Sequence, residues 1–270
     1  MASAVWAPGE NGPSQPSTAR IRDYWLGGSH HTDVDVVLAD QIVVCAPHLP
    51  YGVRIHREFL HRVVTYLVNA GVRQFIDLGS GVPTVGNVHE VAQSIVPECR
   101  VVYVDLDPVV VAEGRELLTG NEDAVYVQAD LRRPDLILAN PDVSKLIDPN
   151  EPVAVLLVDV LHFVSDSDDP RAIVAAYVDS LCPGSYLAIS HMGQDDGVIA
   201  AMDMFSRMYG APLPELTFRG RDEIRAFCAE LDLVEPGIVP VTVWRSDSSD
   251  PSVHRNPEHF YDYGLLARKP

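Results

Sequence analysis

Gly79 and Gly81 follow the apolar run Phe75-Ile76-Asp77-Leu78, and the next such run, Val101-Val102-Tyr103-Val104, ends on Asp105. Glycines in those places let backbone approach a ligand where a Cβ would collide. A carboxylate ending the neighbouring strand can accept hydrogen bonds from both hydroxyls of a ribose. The pattern outlines a nucleotide-cofactor site. A plain strand-to-helix turn also uses glycines, but it does not call for the acid-ended strand beyond. A dinucleotide site needs a third glycine for a helix to pack beneath a pyrophosphate, and here that place holds Thr84, after Pro83. The turn therefore suits a small uncharged or zwitterionic group. Asp77 would oppose a phosphate and suit a cation.

Other acids and histidines lie at corresponding places. Asp107 directly precedes Pro108, the arrangement of an N-cap before a proline at the first helical position, which leaves Asp105 for a ligand. Asp130 follows Gln128-Ala129 and either binds or caps the helix after it. Asp159-Val160-Leu161-His162 leaves a fourth apolar run, and a neutral His162 there can take a proton from an attacking oxygen or nitrogen. A packed, hydrogen-bonded histidine would give the same pattern, and His191, ending a fifth run, shares that ambiguity. The acidic run Ser165-Asp166-Ser167-Asp168-Asp169-Pro170 fits a solvated helix cap and no chemistry.

Strands that would hold these residues are expected at 73–78, 101–105, 124–128, 153–159 and 184–190, with helices at about 84–96, 108–119, 134–147 and 168–182 between them. Alternation of this kind implies right-handed crossovers and a parallel sheet covered on both faces. Ligands of such sheets sit beyond the carboxyl ends of the strands, where strand order reverses, so all the acids above would line one rim. Helices near 195–209 and 220–231 follow. Strand-like runs at 237–245 and 260–267 then meet across the helix-free link 246–251, which requires them to be antiparallel. Ahead of the sheet, Ile55, Phe59, Leu60, Val63, Val64 and Leu67 keep helical spacing up to a C-capping Gly71. Tyr24, Trp25, Gly27 and Gly28 form either a hinged lid or ordinary packing. Residues 1–17, rich in Pro, Gly, Ser and Ala, are expected to be a disordered tail, and 18–270 one domain whose segment 18–72 forms an N-terminal helical lid.

The chain has 270 residues, 47% of them hydrophobic, and a formal charge of -18. That balance supports a full core and argues against nucleic acid, whose phosphates are bound by Lys and Arg. No apolar stretch approaches the roughly 20 residues that span a bilayer, and the start has no secretory pattern, so a cytoplasmic location away from membranes is expected. Cys45, Cys99, Cys182 and Cys228 stand far apart and read as buried thiols. His56 and His61 are five apart on one helix, so no metal site is expected. Oligomeric state does not follow from these features.

The order Asp77-x-Gly79-x-Gly81, then Asp105, then Gln128-Ala129-Asp130 resembles the class I S-adenosylmethionine-dependent methyltransferases. Ala19-Arg20-Ile21-Arg22-Asp23-Tyr24-Trp25-Leu26-Gly27-Gly28, Asp105-Leu106-Asp107-Pro108, Leu161-His162-Phe163 and the run from Leu181-Cys182-Pro183-Gly184 to Ser190-His191 are similar to an actinobacterial family of that class, first catalogued as a domain of unknown function. The resemblance spans roughly residues 18–268. It implies a doubly wound, mostly parallel, Rossmann-like α/β sheet with an antiparallel C-terminal hairpin. It also implies S-adenosylmethionine as cofactor and S-adenosylhomocysteine as product. Gly79 and Gly81 would flank the methionine part, Asp105 would take the ribose diol, and Asp130 would accept from the adenine amino group. Asp77 would order the turn or face the cofactor's amine. Arg20 and Tyr24, as donors, are expected at the methionine carboxylate. Gly28, Leu106, Leu131 and Asp159 complete the expected cofactor contacts, with His162 the candidate base. The reaction expected is methyl transfer to a small or moderate-sized acceptor. The alternative is a cofactor-binding sensor or assembly partner without transfer, and a dehydrogenase is disfavoured by Thr84.

Overall fold

A computed structural model of the chain describes residues 15–82, 86–210, 213–247 and 262–270. Its β-branched and aromatic runs form strands β1 (Gln74–Leu78), β2 (Arg100–Asp105), β3 (Ala124–Gln128), β4 (Val153–Val158), β5 (Tyr186–His191), β6 (Asp232–Leu233), β7 (Val239–Pro240) and β8 (Tyr263–Arg268). They make one sheet in the order β3-β2-β1-β4-β5-β8-β6, with β7 also paired to β8. The first five strands are parallel, and β8 runs antiparallel to β5, β6 and β7. Strand order reverses between β1 and β4, and that switch point is where the carboxyl ends part to admit a ligand.

Successive strand residues point to opposite faces, and the two faces carry separate cores. Phe75, Val101, Tyr103 and Leu156 pack against helix α3 (Leu49–Asn69), α4 (Val88–Ile95) and α5 (Pro108–Leu117). Ile76, Val102, Val155 and Leu187 pack against α7 (Pro141–Leu146) and α8 (Pro170–Asp179), with α10 (Arg221–Arg225) beyond them. A third, smaller core joins α1 (Thr18–Trp25) and α2 (Asp33–Cys45) to α9 (Asp196–Tyr209) through Ile21, Ala39, Ile42 and Phe205. Among the described residues no single helix is long and apolar enough to cross a membrane.

Caps fall where the sequence places them. Asp107 caps α5 by accepting from Val109 N at 2.9 Å, and Asp169 caps α8 through Ala172 N at 3.2 Å. Gly71, with φ +98°, closes α3.

Three expected elements differ. The helix over 134–147 is split into α6 (Pro134–Leu138) and α7, because Pro141 cannot continue a helix and instead starts a new one under an Asn140 cap. The helix over 220–231 ends as regular α-helix at Arg225 and tightens into a 3-10 turn to Cys228. Of the run 237–245 only Val239–Pro240 pairs as strand. The remainder turns, with Val243 N donating to Pro240 O at 3.0 Å, so that Trp244 packs edge-on against Phe59 and Tyr66 of α3. Burial against a helix, not strand pairing, explains that apolar run. Cys45, Cys99 and Cys228 are buried thiols as expected, whereas Cys182 is only partly buried. The tail at 1–14, Thr84 and most of the link 246–251 lie outside the described residues.

Candidate functional site

At the switch point a cavity of about 540 Å3 opens between the carboxyl ends of β1, β2 and β4 and the helices α1 and α3. Its floor is the glycine turn. Gly79 (φ +69°) and Gly81 (φ +66°) both hold left-handed backbone, which glycine adopts without strain. Gly79 N and Ser80 N donate to the carbonyl of Val104 at 2.8 and 3.1 Å, folding the turn back over the end of β2. Tyr126 fixes it from below, donating its hydroxyl to Gly81 O at 2.6 Å and accepting from Ser80 Oγ at 3.0 Å. A Cβ on Gly79 would stand 2.2 Å from Cγ2 of Val160, so no larger residue fits.

Asp105 faces this floor. Its two carboxyl oxygens accept from Gly81 N at 2.8 Å and Asp107 N at 3.0 Å, which fixes the carboxyl group on the cavity wall. Burial holds its pKa above the usual carboxylate range. Asp77 lies deeper, and burial pushes its carboxyl up to about 7, with Asp105 adding to the rise and Arg57 opposing it. Asp130 is paired with Arg132 through bonds of 2.6–3.0 Å at the cavity's rim. That guanidinium outweighs the effect of burial and holds the carboxyl of Asp130 below its ordinary value.

Asp159 directly follows β4 in left-handed backbone (φ +56°), a conformation uncommon outside glycine, and its amide is held by Ser190 O and Oγ at 3.1 and 3.0 Å. Oδ2 pairs with Arg22, while Oδ1 is buried with no hydrogen-bond partner in the described structure. His56 Nε2 and His162 Nδ1 each stand 3.6 Å from that oxygen. Although burial disfavours its charge, the cations Arg22 and His56 keep Asp159 ionised, well below the usual range. His56 also meets Asp262 at 3.1 Å and Ser190 Oγ at 2.8 Å. Burial works against its charge, yet the carboxylates of Asp159 and Asp262 raise its pKa above the ordinary value. His162 is the opposite case, since burial pulls it down to about 3 and leaves it neutral. His191 is committed to structure, donating through Nδ1 to Met192 O at 2.7 Å and accepting at Nε2 from the buried Arg219 at 2.9 Å.

The structure thus brings Asp77, Gly79, Gly81, Asp105, Leu106, Asp130, Leu131 and Asp159 to one cavity, as the rim argument requires. It places Arg20, Tyr24 and Gly28 elsewhere. Arg20 is fully buried against Asp35 at 2.7 Å, Tyr24 points to Asp40 at 3.4 Å, and Gly28 is wedged against Asp23, whose Oδ1 would lie 1.9 Å from any Cβ there. The error is one of helical phase. Thr18, Ala19, Arg22, Asp23 and Leu26 face the cavity at the spacing of one helix face, and residues 20 and 24 lie off that face. Of the two arginines of α1, Arg22 and not the expected Arg20 lines the cavity. Arg57, not among the expected contacts, also lines it, as does His56, which was weighed only as a metal ligand. A charged pair, His56-Arg57, within the apolar periodicity of α3 was the available signal.

A mostly parallel sheet with this strand order, a glycine turn after β1 and an acid ending β2 defines an S-adenosylmethionine-dependent methyltransferase of the Rossmann-like class. The chain belongs to the family described as S-adenosyl methyltransferase, whose model matches residues 6–270. It is similar to a putative methyltransferase from Thermobifida fusca YX, with 39% identity over 94% of this chain and 95% of that one and a TM-score of 0.84. A DUF574 family protein from Streptomyces avermitilis MA-4680 is 38% identical over 94% of this chain and 98% of that one, with a TM-score of 0.85. The fold is shared with magnesium protoporphyrin IX methyltransferase from Synechocystis PCC 6803, crystallised with bound S-adenosylhomocysteine (16% identity, 92% of this chain, 93% of that one, TM-score 0.53). Comparison with curated proteins gives no match.

The donor set fits S-adenosylmethionine. Asp77 and Asp105 line the cavity with carboxyl groups suited to an ammonium and a diol, Arg22 and Arg57 place guanidinium groups on its wall, and the volume is that of a small-molecule site.

Proposed function

We propose that the large cavity holds S-adenosylmethionine with its ribose on Asp105 and its methyl group directed past Asp159, toward an acceptor of small or moderate size. The observation that carries this reading is the placement of Asp105 over the glycine turn, with Asp159, held by Arg22 and flanked by His56 and His162, across the switch point. Asp77 receives the methionine ammonium, and Arg22 or Arg57 replaces Arg20 and Tyr24 as the partner of the methionine carboxylate. Leu106 and Leu131 flank the adenine, whose amino group reaches Asp130 when Arg132 shares that carboxylate.

The cofactor, when bound, supplies an activated methyl group and a sulfur leaving group. The chain aligns the acceptor for in-line attack, excludes water and steers the nucleophile's proton. His162 accepts a hydrogen bond and orients the nucleophile; with burial pulling its pKa to about 3, it is a weak store for a proton. No observation favours a sensor without transfer. Calorimetry with S-adenosylhomocysteine tests the placement, and His162→Ala separates the roles. The variant is expected to keep cofactor affinity within about twofold and to lose turnover by about tenfold to a hundredfold. A large loss of cofactor affinity with no separate turnover defect would contradict the assignment. Following label from methyl-labelled cofactor into metabolite extract identifies the acceptor.

A further inference from the structure

A second cavity, of about 130 Å3, lies against the first. Arg22, His56, Asp159 and Phe163 line both, and Phe163, an apolar side chain left 39% exposed, stands at the junction. The remaining walls are mainly apolar, with Ile21 and Trp25 from α1, Ile42 from α2, and Val198 and Met202 from α9. The charged groups at the edge are paired with one another, Arg22 with Asp159 and His56 with Asp262. These pairs balance, so an ion entering this space would lose its hydration and meet no spare opposite charge among the described residues. Asp77, Gly79, Gly81, Asp105 and Asp130, the groups suited to the polar parts of the cofactor, line the larger cavity and not the smaller. The smaller space is therefore unsuited to any charged part of the cofactor. Protein interiors leave few voids larger than a water molecule, and an apolar cavity of about 150 Å3 stays dry and takes up benzene.

We propose that the smaller cavity seats the hydrocarbon part of the methyl acceptor, an uncharged group no larger than about one six-membered ring, and that Val198 and Met202 set the size it admits. This rests on placing the cofactor in the larger cavity. The acceptor's reacting atom then stands at the shared wall, toward the end of β4, and its apolar body lies behind it against α9. Recognition of that body comes from shape and the exclusion of water, not from hydrogen bonds.

Binding measurements test this without turnover. Protein saturated with S-adenosylhomocysteine is titrated by calorimetry with benzene, toluene, benzoate and protonated benzylamine. Benzene and toluene are expected to bind, and the two charged rings at least about tenfold more weakly than toluene, because each would bury an unpaired charge. Val198→Phe and, independently, Met202→Trp fill the cavity. Each is expected to weaken benzene binding at least about tenfold while leaving affinity for S-adenosylhomocysteine within about twofold, which also shows that the variant has folded. Nearness to the transferred group is read by NMR with methyl-labelled S-adenosylmethionine, since benzene offers no nucleophilic atom and the complex does not turn over. A nuclear Overhauser effect is expected between the benzene protons and the labelled methyl group. With S-adenosylhomocysteine bound, four results would each overturn the subsite: no binding of benzene or toluene, charged rings binding as tightly as toluene, benzene binding that survives both filling variants, or bound benzene without an effect at the methyl group of S-adenosylmethionine. Failure of the wild type to bind S-adenosylhomocysteine would instead overturn the cofactor placement, and this inference with it.

Discussion

Asp77 joins two opposite demands in one side chain. Burial and Asp105 raise its pKa to about 7, against an ordinary value of 3.8, so the stability linked to it is full below about pH 4 and is lost as pH rises through 7. A bound ammonium favours the ionised form. Cofactor affinity should therefore increase between about pH 6 and 8 with release of a proton, seen as buffer-dependent heats in calorimetry. Asp77→Asn should raise the Tm of the ligand-free protein at pH 8, each kcal/mol giving about 2–4 °C. The same variant should weaken cofactor binding by about tenfold to a hundredfold. Gly79→Ala meets both a left-handed backbone and Val160; a loss of at least about 1–2 kcal/mol is expected in denaturant unfolding. These positions were legible in the sequence because glycine and carboxylate types carry their reasons with them. Arg57 and His56 were not, since a long side chain on a helix reaches its site only once the helix is docked.

Helix α1 shows what periodicity resolves and what it leaves out. The motif Arg20-Ile21-Arg22-Asp23-Tyr24 fixed attention on the right segment, but which face meets the cavity depends on how α1 packs on α2. That packing is set by the buried pair Arg20–Asp35, whose carboxylate also accepts from Ser17 N and Thr32 N at 2.8 Å each. Burial opposes the charge of Asp35, yet Arg20 and these donors keep its pKa low, so its contribution is present above about pH 4 and is lost as pH falls further. Asp35→Ala leaves a buried guanidinium unpaired and is expected to cost about 3–5 kcal/mol in urea unfolding. The five parallel strands, by contrast, were legible almost to the residue, because β-branched runs between glycine, proline and acidic punctuation have few other solutions. Pro141 was a visible stop whose effect on the 134–147 helix went unread, and Trp244 turned its apolar run onto α3 because a large aromatic finds more burial there than at a sheet edge.

Across the molecule, the parallel sheet fixes one wall of the cavity rigidly, and α1 closes the other through Arg22 and Asp159. Cofactor binding is therefore expected to raise amide protection in Thr18–Trp25 more than in β1 or β4, measured by hydrogen exchange with and without S-adenosylhomocysteine. Equal change everywhere would contradict a lid formed by α1. Strand alternation, the switch point and the family were open to reading from the chain alone. The second cavity was not, because its walls come from α1, α2, α9 and loops far apart in sequence. The account depends most on Asp105 at the end of β2. Calorimetric titration of S-adenosylhomocysteine into the wild type and Asp105→Ala tests it directly. Binding by the wild type, weakened about tenfold to a hundredfold or more by the substitution, is the expected result. Equal affinity in the two proteins, or no binding by the wild type, would contradict it.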